Sequence, residues 1–108
     1  MIAPRRPGKI EGMASLRVSI TFLATGGRQG PVSSGYRPQL FFGGEDWECR
    51  RIDFLPDRTI SPGESTAARI VLSDYAASAL AGRMQVGDSF QLREGSRAVA
   101  DGLLIETE

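Results

Sequence analysis

The sequence predicts an all-β fold, a small sandwich or barrel, from three observations. Apolar and polar residues alternate over short runs, glycine and proline punctuate the chain between them, and a single alanine-rich stretch reads as helix. At 108 residues the chain is one domain. By size scaling such a domain buries about two-thirds of the surface its unfolded form exposes, enough for a core without staples.

Residues 1–14 hold Pro4, Pro7, Gly8, Gly12 and four charges with no strand or helix periodicity, so they are expected to be a flexible N-terminal tail. Met13 is a second candidate for the true start beside Met1. Residues 15–108 form the domain. From Leu16 the pattern turns to strand: Leu16, Val18, Ile20 and Phe22 alternate with Arg17, Ser19 and Thr21, and Gly26 with Gly27 ends the run. Gly30, Pro31 and Gly35 mark a polar loop. Pro38, with fixed φ and no donor, is expected to open an edge-facing strand through Leu40, Phe41 and Phe42.

The next strand is expected near Trp47. Trp47, Cys49, Ile52 and Phe54 break strict alternation at Arg50 and Arg51, which predicts a bulge. A connection over Pro56 to Gly63 ends in the SPGE turn from Ser61 to Glu64 and feeds a strand over Thr66 to Leu72, with Ala68, Ile70 and Leu72 on one side. Ser73 or Asp74 then caps a short helix through Leu80, because a side-chain oxygen before an alanine-rich run satisfies the first free amides. Gly82 ends it. The turn Val86-Gly87-Asp88 leads to a strand from Ser89 to Arg93, a tight hairpin over Glu94 to Ser96, and a last strand over Arg97 to Glu106.

Composition excludes more than it selects. With no histidine and only Cys49, the chain has no intramolecular disulfide, no clustered-thiolate metal site and no histidine-based triad, and its lone Lys9 sits in the tail. Paired carboxylates such as Glu45 with Asp46, or Asp53 with Asp57, read as solvated turn charges rather than a general acid and base. Cys49, Trp47 and Met84 read as packing residues. No GxxxxGK[ST] run is present, so GTP is not expected to bind; no cofactor is expected, and the missing histidine and tail-bound lysine argue against catalysis. No apolar run approaches the roughly 20 residues of a membrane span, and the first residues lack a signal peptide's apolar region. A reducing, cytoplasmic setting is expected.

Net charge is zero, which argues against coating nucleic acid through bulk electrostatics. Through Arg37, six cations against Glu11 leave that third at +5 and the remainder at −5. Twelve of thirteen basic residues are arginine. They are spread along the chain, so arginine-rich base composition explains them as simply as anion-reading forks do.

Two segments carry the chemistry: GGRQGPVSSGYRPQLFF from Gly26 to Phe42, and FQLREGSRAVADG from Phe90 to Gly102. Gly26 and Gly27 permit a sharp turn after which Arg28 either forks onto an anion or is merely solvated. Tyr36, Arg37 and Gln39 supply an amphipathic ring, a planar cation and a two-way amide, a set suited to RNA backbone and sugar edges; packing and local ion pairing explain it equally. Glu94 between Arg93 and Arg97 accepts from a 2′-hydroxyl or orients an arginine, or else holds its own turn.

In order and spacing the two segments resemble the third, C-terminal domain of elongation factor Tu, over roughly Leu16 to Ile105. The resemblance implies a closed, antiparallel six-stranded barrel. It also implies contact with the T-stem backbone of tRNA, through positions matching Gln39 and Glu94. Where the family carries a basic, threonine-rich stretch, this chain has Gly43, Gly44, Glu45, Asp46 and Glu48, and carboxylates there repel phosphate. The DYAASALAGRMQVGD stretch also departs from the family pattern. The expected function is a noncatalytic, translation-factor-like module that binds a protein partner, or alternatively a tRNA or tRNA-like stem. Its candidate residues are Arg28, Tyr36, Arg37, Gln39, Arg93, Glu94 and Arg97.

Overall fold

A computed structural model describes residues 15–108. The expected tail over residues 1–14 lies outside them. Six strands close into an antiparallel barrel in the order β1-β4-β3-β2-β5-β6. They are β1 (Ser15–Phe22), β2 (Gln39–Phe42), β3 (Glu45–Leu55), β4 (Ser65–Leu72), β5 (Ser89–Glu94) and β6 (Arg97–Thr107), with one helix, α1 (Asp74–Leu80), between β4 and β5.

Alternation decides what faces the lumen. Leu16, Val18, Ile20 and Phe22 of β1 all point inward beside Ala68, Ile70 and Leu72 of β4, as their period requires. Ile52 and Phe54 of β3, Leu40 of β2, Phe90 and Leu92 of β5, and Val99 and Leu104 of β6 complete the core. Each large side chain so buried contributes on the order of 2 kcal/mol. Closure pairs every strand on both sides, so no long edge is left to recruit another chain.

The expected bulge is present: β3 pairs with β4 through Cys49↔Leu72 and then Arg51↔Val71, leaving Arg50 unmatched. Cys49 faces inward, and burial pushes its thiol up to about 12, so it is an inert core residue. Ser73 caps α1, its side chain accepting from the Ala76 amide at 3.1 Å. Trp47 and Met84 are buried, as expected.

Two expectations need correction. Pro38 does not open an edge-facing strand: β2 starts at Gln39 and lies between β3 and β5, so it is an interior strand of a closed sheet, and Pro38 sits just before it where no ladder donor is needed. The third strand starts at Glu45 rather than near Trp47, because Gly43 and Gly44, both at positive φ, close a two-residue hairpin that pairs Phe42 with Glu45.

Candidate functional site

Two segments far apart in sequence, the loop after β1 and the β5–β6 hairpin, meet at one end of the barrel. The β5–β6 ladder shifts register between Leu92 and Arg93, so that Leu92 faces Ala100 while Arg93 faces Ala98. Val99, the unmatched residue, offers its carbonyl to the Leu23 amide at 3.0 Å, which docks the loop after β1 onto β6. Gly27 of that loop lies so close that a Cβ there would come within 3.2 Å of the Val99 carbonyl. Any side chain there would press Leu23 and Val99 apart by a few tenths of an ångström, so glycine favours that approach.

The docked loop delivers Arg28 to Glu94. Arg28 Nη1 forms an ion pair with Glu94 Oε2, and Tyr36 Oη donates to the same oxygen at 2.5 Å. Tyr36 is placed from below by a backbone bridge to Ile52 and by Phe22, whose ring centroid is 6.1 Å away. Its ring in turn carries the Arg28 guanidinium, 5.3 Å from the centroid. Arg28 is further fixed by donating from Nε to the Gly30 carbonyl, and Arg97 Nη1 donates to the Gly27 carbonyl at 3.4 Å. Burial alone would raise the Glu94 carboxyl, but hydrogen bonds from Tyr36 and Arg28, with the charges of Arg28 and Arg97, outweigh it and hold the group below its ordinary value. Burial first, then the hydrogen bond to Glu94 and the charge of that carboxylate, push the Tyr36 phenol up.

A second group forms a row across the outer face. Gln39 lies beside Arg93 on β5 and beside Glu48 on β3. Arg93 is drawn over Phe41, its guanidinium carbon 3.9 Å from the ring centroid, and lies 3.9 Å from Asp46. Of the seven residues expected from sequence, Arg28, Tyr36, Glu94 and Arg97 thus form one cluster, and Gln39 with Arg93 forms the adjoining row. Arg37 is exposed and makes no ion pair among the described residues. Sequence reasoning had not placed Phe41 and Asp46 in this row. The Gly43-Gly44 hairpin was the available signal, since a two-residue turn fixes Phe41 opposite Asp46 and Gln39 opposite Glu48.

The family model of the elongation factor Tu C-terminal domain matches residues 9–108. This chain belongs to that family. The elongation factor Tu C-terminal domain is a noncatalytic β-barrel module, and membership makes this chain a translation-factor-like module. The resemblance carried by the Gly26–Phe42 and Phe90–Gly102 segments therefore extends over nearly the whole chain. Among the described residues no helix is long and apolar enough to cross a membrane, and no group of His, Cys, Asp and Glu is arranged to hold a metal ion.

Proposed function

We propose that this elongation factor Tu-like barrel is a noncatalytic module that binds a protein partner, with the face around Gln39, Arg93, Glu94 and Arg97 as its contact surface. One observation carries the reading: the row that would meet an RNA backbone is flanked by carboxylates. Glu48 stands directly beside Gln39, and Asp46 draws on the charge of Arg93. A phosphate approaching either residue meets a like charge at short range, whereas a protein surface offers arginine or lysine to those same carboxylates. The reducing cytoplasm, where translation factors work, is the setting this reading implies.

The runner-up is a tRNA or tRNA-like stem, and one feature favours it. Both internal donors to Glu94 fall on Oε2, which leaves Oε1 as an oriented acceptor for a hydroxyl.

Electrophoretic mobility shifts with folded tRNA at low salt separate the two. On the protein reading no saturable shift appears at micromolar protein, and a complex captured from ribonuclease-treated lysate is disturbed by Arg37→Ala and Gln39→Ala. A competable tRNA shift at or below micromolar protein overturns it. Arg37→Ala should then flatten the dependence of affinity on salt, while Gln39→Ala should weaken binding without changing that slope, because an amide displaces no counterion.

A further inference from the structure

The seam between β2 and β5 is the shortest in the barrel. Only Gln39, Leu40 and Phe41 pair across it, with Arg93, Leu92 and Gln91, while β5 continues against β6 down to Ser89↔Leu103. Beyond Phe41 the chain turns away into the hairpin with β3, so a cleft of about 530 Å³ opens in the barrel wall. Its depth is aromatic: the half-buried Phe42 stands on one side and Phe90 on the other. The Phe90 ring lies over Gly102, where a Cβ would fall 2.2 Å from the ring, so glycine at 102 is what lets that ring pack against β6. The rim is polar, formed by Gln91 and Asp101, which are cross-strand partners on the outer face.

The charges around this cleft are unevenly committed. Arg93 is held over Phe41 near Asp46, and Arg83 reaches Gly43 while lying over the Trp47 ring, 5.4 Å from its centroid. Asp101 at the rim and Glu45 at the hairpin, like Arg83, form no ion pair among the described residues. An apolar slot edged by an uncommitted carboxylate matches a side chain with an alkyl stem and a cationic head.

We infer that this cleft receives an arginine or lysine side chain of a protein partner, its stem between Phe42 and Phe90 and its cation on Asp101. The inference rests on the protein-partner reading and specifies the chemistry of that partner at a second place on the barrel.

The test is a titration of the isotopically labelled protein, followed by amide chemical shifts, with a capped Leu-Arg-Leu tripeptide and with the same peptide carrying neutral citrulline for arginine. Expected are shifts confined to Phe42, Gly43, Gln91, Asp101 and Gly102, with the arginine peptide binding about fivefold more tightly, the size of one partly exposed ion pair. Asp101→Asn, on the outer face, should abolish the preference, and Gln91→Glu should increase it. Equal binding of both peptides would make the cleft a plain apolar groove and overturn the inference. So would tighter binding of a Leu-Glu-Leu peptide, shifts mapping elsewhere, or silence up to tens of millimolar. A saturable tRNA shift, by contrast, would remove the protein-partner reading and leave the titration result standing, so the two failures are distinguishable.

Discussion

Glu94 illustrates how one side chain can bind distant segments together. It lies 66 residues from Arg28 and 58 from Tyr36, and both converge on one of its oxygens. Because its folded pKa is depressed, the stability it contributes is present above the unfolded value and lost as pH falls through the folded one. Replacing Glu94 with Gln should therefore destabilise the barrel at neutral pH, and the gap to the parent protein should shrink as pH falls below about 4. Urea titrations at both pH values read this directly. An unchanged gap would mean that the cluster acts through shape alone. Tyr36 and Arg28 were visible in the sequence as candidates, but their meeting with Glu94 was not. Spacing along a chain says nothing about which loops a bulged strand draws in.

At the scale of elements, sequence and structure agree wherever a local rule decided the outcome. Alternation fixed the inward set of β1 and β4, the broken alternation at Arg50–Arg51 marked the bulge, and Ser73 before an alanine run marked α1. They part where the decision was tertiary. Pro38 suggested an edge because proline lacks a donor, yet closure of the barrel leaves no edge and the chain places the proline one residue before the ladder. Helix α1 is short and buries Ala76, Ala77 and Leu80, so it depends on its cap as well as its packing. Ser73→Ala should cost about 1 kcal/mol of unfolding free energy, read as a lower urea midpoint at unchanged slope. A neutral result would show that packing of Leu80 alone sustains the helix.

For the whole molecule, membership in the elongation factor Tu C-terminal domain family joins a barrel of this kind to a chain lacking any phosphate-cradling loop. Calorimetry with GTP or GDP should accordingly be silent, and saturable heat at micromolar nucleotide would overturn that expectation. The barrel also has a geometric property apart from its candidate contact surfaces. Ser15 and Glu108 are hydrogen-bonded backbone to backbone, 2.8 Å from the Glu108 amide to the Ser15 carbonyl, and the Glu108 carboxylate ties Arg17 and Arg69 to the same corner. The point where β1 begins and the point where β6 finishes are thus one place in space. A circularly permuted version, joining Glu108 to Ser15 through a few added residues and opened between the exposed Asp57 and Arg58, should keep the native circular dichroism spectrum and unfold cooperatively. The same adjacency would let the barrel be spliced into a loop of another protein as a self-contained cassette, leaving its host's flanking segments side by side.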